Sequence, residues 1–102
     1  MVEYVSVLDA DAVPPGEARR VVVGDEEIAI YNVDGELFAT SDICSHEEAS
    51  LSDGELFDHV VECPLHGARF DVRTGRPLSL PAVYPVRTYP VRVVDGKVQV
   101  EI

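Results

Sequence analysis

Cys44-Ser45-His46 and Cys63-Pro64-Leu65-His66-Gly67, separated by the sixteen residues 47–62, are the stretches that decide how this chain is read. Each places one cysteine and one histidine within three residues of each other, and Cys44 and Cys63 are the only cysteines present. Two loops that each offer a thiolate and an imidazole make a four-ligand metal site. Zinc takes two cysteines and two histidines in a tetrahedron, but structural zinc folds usually group a cysteine pair and then a histidine pair at wider spacing. Here the mixed order Cys then His occurs twice. That order suits a two-iron centre in which one iron takes both cysteines and the other both histidines, so that each loop reaches both metals. A disulfide between Cys44 and Cys63 is the third reading. It is disfavoured because no export signal precedes it and a reducing compartment is expected.

Outward from these loops the sequence is that of an all-β protein. Segments rich in valine, isoleucine and tyrosine recur at short intervals, and none keeps a helical period for three turns. Strands are predicted at Glu3–Leu8, Ala18–Val23, Glu27–Asn32, Leu37–Thr40, Val60–Glu62, Arg69–Val72, Tyr89–Val94 and Lys97–Ile102. Asp34-Gly35 and Asp95-Gly96 are hairpin turns, since glycine after aspartate supplies the positive φ that a tight turn needs. Between Asp9 and Gly16 an aspartate cap is predicted to start a turn of helix that the prolines end. Pro77, Pro81, Pro85 and Pro90 predict a stiff, extended stretch after the second loop.

At 102 residues, 46% of them apolar, the chain is long enough for one globular domain, 1–102, with the metal-binding loops as a subdomain at about 41–75. Nineteen acidic against eight basic residues give a formal charge of -11. Nucleic acid and anionic membrane surfaces would repel such a chain, and a protein partner with a basic patch would attract it. The opening residues lack a signal-peptide pattern and no apolar run approaches the roughly 20 residues of a membrane span, so a cytoplasmic location is expected.

With the segments CSHEEASLSDGEL (44–56) and VECPLHGARFDVRTG (61–75), the chain resembles the Rieske proteins, and among them the soluble ferredoxins of bacterial aromatic-ring-hydroxylating dioxygenases. The resemblance implies a Rieske fold: an antiparallel β-sandwich of short strands with a small cluster-binding subdomain formed by two loops. It implies one 2Fe-2S cluster, with Cys44 and Cys63 on the buried iron and His46 and His66 on the outer one. Electrons would pass from a ferredoxin reductase to a terminal oxygenase through transient docking at the histidine tip. No small-molecule substrate is expected.

Departures from the high-potential respiratory branch of the family are informative. That branch has extra cysteines, forming a disulfide, where this chain has Ala49 and Leu65, and a serine hydroxyl on a bridging sulfide where it has Ala68. Hydrogen bonds to the sulfurs favour the reduced cluster, so the potential should lie near the bottom of the Rieske range of about -150 to +300 mV. Glu47 and Glu48 act in the same direction. One carboxylate at ~8 Å costs about 0.5–2 kcal/mol, depending on solvation, which is roughly 20–90 mV for one electron.

Pro64 should stiffen the second loop, Gly67 should let backbone approach an inorganic sulfur, and Leu65 with residues 77–82, including Pro81, should cover the cluster. His59 is expected to be a solvated turn residue, and Tyr84 and Tyr89 core or surface aromatics. The chain is not expected to be an enzyme. A mononuclear iron site would want two further histidines and a carboxylate, only His59 remains, and no phosphate loop or nucleophile elbow is present. The competing functions are a Rieske-type subunit of another redox enzyme, such as a nitrite reductase small subunit or a monooxygenase donor, and a zinc-bound structural or interaction module.

Overall fold

The computed structural model describes residues 3–44, 49–65, 67–79 and 84–102. Its organising element is a strand with no polar face. Ile28, Ala29, Ile30 and Tyr31 are successive and fully buried. Side chains alternate across a strand, so such a run has to be covered on both sides. It lies in β3 (Glu26–Val33), which pairs antiparallel with β2 (Ala18–Val23) on one side and β4 (Glu36–Ser41) on the other. A short strand, β8 (Thr88–Tyr89), extends this sheet beyond β4.

A second sheet covers one face of the first. It consists of β1 (Tyr4–Asp9), β10 (Lys97–Glu101) and β9 (Val91–Val94) in that spatial order. Val98 and Val100 of β10 pack with Ile28, Ile30, Ala39, Tyr89 and Val13. A third sheet, formed by β5 (Glu55–Phe57), β6 (Val60–Glu62) and β7 (Arg69–Asp71), belongs to the opposite face. There Ala29, Tyr31 and Val33 share a core with Leu51, Val61, Phe70, Val72, Val86 and both cysteines. Each fully buried valine or leucine stabilises the fold by about 1.5–3 kcal/mol relative to exposure. β3 thus serves as the common wall of two cores. All the sheet pairings are antiparallel, as the sandwich expectation requires.

Both predicted hairpins form. Asp34 and Gly35 have φ of 52° and 94°, and Asp95 and Gly96 have 51° and 75°. Positive φ at both central residues matches the right-handed twist of the strands they join. Asn32 Oδ1 also accepts the Gly35 N–H at 2.7 Å. The predicted helical turn after Asp9 exists as a single 3-10 turn, Ala10–Ala12, but Asp9 makes no capping hydrogen bond with its side chain. Its carboxylate pairs instead with Lys97 across the β1–β10 pair.

One strand prediction needs correction, and one strand was not predicted. Tyr89–Val94 is split at Pro90: Tyr89 pairs with Ala39 in the first sheet, whereas Val91 pairs with Val100 in the second. Proline has no N–H to donate to a ladder, so the chain changes sheets there. Glu55–Phe57 is a strand that the pattern does not reveal, because only three residues pair and two are exposed.

Candidate metal centre

The third sheet and the turns at its edge present the two ligand stretches as matching loops. Cys44 donates its backbone N–H to the carbonyl of Ala49 at 3.0 Å, and Cys63 donates to Ala68 at 2.7 Å. In both cases the acceptor is five residues on. The flanks pair as well: Ile43 bridges Ser50, and Glu62 is in register with Arg69. Each cysteine therefore stands at the base of a pinched loop.

Both thiols are buried, at 3% and 1% exposure, in one hydrophobic core, and no disulfide joins them. That is the seat a cluster requires of its thiolates, because low solvent access and a fixed backbone control the potential of an iron–sulfur centre. The donor set fits an iron–sulfur cluster at its cysteine half. His46, His66, Pro81 and the glutamates at 47 and 48 lie outside the described residues.

Loop one is tied down by Asp42. Its carbonyl accepts the Leu51 N–H at 2.7 Å, its carboxylate accepts the Ser52 N–H at 2.9 Å, and its own N–H reaches Glu27 O at 2.8 Å. Gly54 then lets the loop lie against strand β6. A β-carbon added there would stand 1.9 Å from the carbonyl oxygen of Glu62, the residue before Cys63. Gly75 plays the same part below loop two: an added β-carbon would be 2.0 Å from Val86 O, and its carbonyl accepts the Val86 N–H. Asp42 and Gly54 carry no local sequence signal for these roles, since their partners are distant in the chain.

Gly67 has φ of 71°, in the left-handed region, and among described atoms an added β-carbon would meet only Glu62 Oε1, at 3.8 Å. The turn itself accounts for the glycine here. Leu65 and Leu78, expected as part of a cover, are 44% and 48% exposed to solvent. Closure of the loop through Cys63 and Ala68 puts Pro64 and Leu65 at its tip. Beyond it, Leu78 N–H bonds to Arg69 O at 2.8 Å and Ser79 Oγ accepts the Arg69 N–H at 3.1 Å, so residues 77–79 run alongside β7.

Electrostatics around Cys63 are acidic. Asp53, Glu55 and Glu62 line a depression with Cys63, Pro64 and Gly67, and Arg69 offsets Glu62 through a 3.1 Å ion pair. Where β7 ends, Arg73 holds the Asp71 carboxyl below its usual range through side-chain hydrogen bonds at 3.1 and 3.0 Å. Behind the cysteines, burial raises the Tyr31 phenol above its ordinary value, and its hydroxyl pairs with Thr40 Oγ1 at 2.9 Å.

His59 lies in the expected turn, but it is only partly solvated. Its side chain is only 26% exposed and lies 3.3 Å from the Asp58 carboxylate. Its ring meets Phe38 of β4 edge-on at 5.6 Å between centroids, and its carbonyl accepts the Val72 N–H. The histidine is a strut between the first and third sheets. Tyr89 is buried and Tyr84 is 70% exposed, as core and surface aromatics respectively.

The biphenyl dioxygenase ferredoxin subunit of Pseudomonas sp. (strain KKS102) is 46% identical over 96% of this chain and 91% of its own length. Sphingomonas yanoikuyae B1 ferredoxin superposes with a TM-score of 0.93 at 37% identity, covering 98% of this chain and 99% of that one. A chain in the complex of reduced oxygenase and oxidized ferredoxin in carbazole 1,9a-dioxygenase gives 0.90 at 43% identity, covering 95% and 91%. The model of the Rieske [2Fe-2S] domain matches residues 3–90, which span both pinched loops, the whole of the first and third sheets and β1 of the second. The chain is therefore a member of the Rieske [2Fe-2S] family and carries one Rieske 2Fe-2S cluster.

Proposed function

We propose that this chain is the Rieske ferredoxin of an aromatic-ring-hydroxylating dioxygenase system, carrying single electrons from a reductase to a terminal oxygenase. The observation that carries this reading is the pair of buried cysteines at the bases of two identically closed loops. Its relatives are ferredoxin subunits of dioxygenases acting on biphenyl and anthranilate, which are electron-transfer components and not the oxygenases themselves. Cys44 and Cys63 are assigned to one iron and His46 and His66 to the other, on the strength of the repeated Cys-then-His order. When bound, the cluster accepts and gives up one electron at a time.

The chain's own residues do the rest. Burial of both cysteines excludes water from the inner side of the site. The two N–H to carbonyl closures fix the loops, so that little rearrangement accompanies a change of charge. A neutral imidazole ligates through one nitrogen and keeps the other for a hydrogen bond, which gives His46 and His66 the contact role toward partners. Ile43, Leu65 and Leu78 are exposed apolar side chains on or beside the ligand loops. Small, transient contacts of this kind suit a carrier that must leave each partner after one electron. Residues 1–102 act in this reading as one domain, with a cluster-binding subdomain at about 41–75. A cytoplasmic location goes with it. Among the described residues no helix is long and apolar enough to cross a membrane.

Purified protein tests the reading directly. It should be brown, contain iron and acid-labile sulfide, and show on reduction an EPR spectrum whose average g lies below the free-electron value. A colourless, zinc-containing protein without labile sulfide would replace the carrier with a zinc module. His46→Cys and His66→Cys should move the spectrum toward that of an all-cysteine cluster and lower the potential.

A further inference from the structure

Asp42 is the one acidic side chain among the described residues that is fully buried, and its environment is unusual. One carboxylate oxygen accepts the Ser52 N–H, while the other, Oδ2, accepts no hydrogen bond from any described residue. The group nearest to neutralising it is the Arg20 guanidinium of β2, whose Nε lies 3.4 Å from Oδ2. Arg20 is itself half exposed and also pairs with Glu27, so its charge is shared between an inner and an outer carboxylate.

Position makes this pair consequential. Asp42 precedes Cys44 by two residues, which keeps their Cα atoms within about 7 Å. Loop one begins and ends on it: its carbonyl and carboxylate hold Leu51 and Ser52, while its N–H holds Glu27. A charge in a low-dielectric seat acts on a neighbouring redox centre with little screening.

We propose that Arg20 and Asp42 act as a charge pair that positions the first ligand loop and sets the reduction potential of the centre. The proposal rests on the ligand assignment made above. Reduction adds one negative charge to the centre, and the Asp42 carboxylate opposes it while Arg20 offsets that opposition. The two residues therefore act with opposite sign. A loop support without an electrostatic role would loosen the loop whichever partner were lost.

The test is a spectroelectrochemical titration of the holo-protein for wild type, Arg20→Gln, Arg20→Lys, Asp42→Asn and the double variant Arg20→Gln/Asp42→Asn. Arg92→Gln serves as a charge-matched control on the second sheet, where Arg92 stacks on Tyr4. Arg20→Gln should lower the midpoint potential and Asp42→Asn should raise it. The double variant should return close to wild type, and Arg20→Lys should largely restore the Arg20→Gln shift. The Asp42→Asn shift should persist at high salt, the Arg20→Gln shift should shrink only in part because Arg20 is half exposed, and any shift in Arg92→Gln should fade. The proposal is overturned if the two single variants move the potential in the same direction, or if neither moves it while the Rieske EPR signal is intact. Should Asp42→Asn fail to assemble, Arg20→Gln decides: a potential equal to wild type is enough to reject the pair. Loss of the Rieske signal from wild type itself would refute the ligand assignment, a separate outcome from failure of the pair.

Discussion

Ala68 shows how much a single side chain decides in this molecule. It is fully buried, its carbonyl closes the second ligand loop, and its methyl group has no hydrogen to donate to a sulfide. Replacing it with serine supplies one donor. A net hydrogen bond of about 1 kcal/mol favouring the reduced form corresponds to roughly 40 mV for one electron. Ala68→Ser should raise the midpoint by that order, measured by voltammetry, and a lower or unchanged midpoint would show that a hydroxyl at this position does not reach the sulfide. His59 makes the contrasting case. Without its edge-on contact to Phe38, His59→Ala should lose about 0.5–1.5 kcal/mol, a fall in Tm of several degrees for a domain near 100 residues. Its Rieske spectrum should be intact, and a lost signal would overturn the ligand set. The proposed ligand set was legible in the sequence because each stretch puts two chemically rare residues within three positions of each other. Asp42 was not, because what matters about it is a partner on β2.

At the scale of elements, the strands with strong apolar alternation and the two Asp-Gly turns were readable, since their determinants are local. β5 was not readable, being three residues held by pairing with β6, and the break at Pro90 shows only once β8 and β9 are seen in different sheets. Gly54 belongs to the same class of hidden determinant. Its φ is -82°, which any residue adopts, so its identity is set by the approach of the Glu62 carbonyl alone. Gly54→Ala should therefore destabilise by about 1–3 kcal/mol through overpacking, and should also lower cluster content by displacing the strand that leads into Cys63. Urea unfolding together with iron analysis of the purified variant checks both. Wild-type stability and iron content in that variant would mean that the two loops do not depend on this contact.

The whole molecule carries a charge of -11, and several of its cations are engaged internally, as with Arg19 and Glu17, Arg73 and Asp71, and Lys97 and Asp9. Its outward field is thus acidic. Association with a basic partner surface should slow as salt rises, because the Debye length falls from about 30 Å at 0.01 M to about 3 Å at 1 M. Stopped-flow reduction by the cognate reductase across that range should show the rate constant falling steadily, and salt-independent rates would remove charge from the docking account. The shared strand β3 has a different kind of reach. With Ile28 and Ile30 sealed into one core and Ala29 and Tyr31 into the other, neither half can melt while the other keeps its wall. Assembly of the cluster at one end should therefore be felt as protection of backbone amides in the valine sheet at the other.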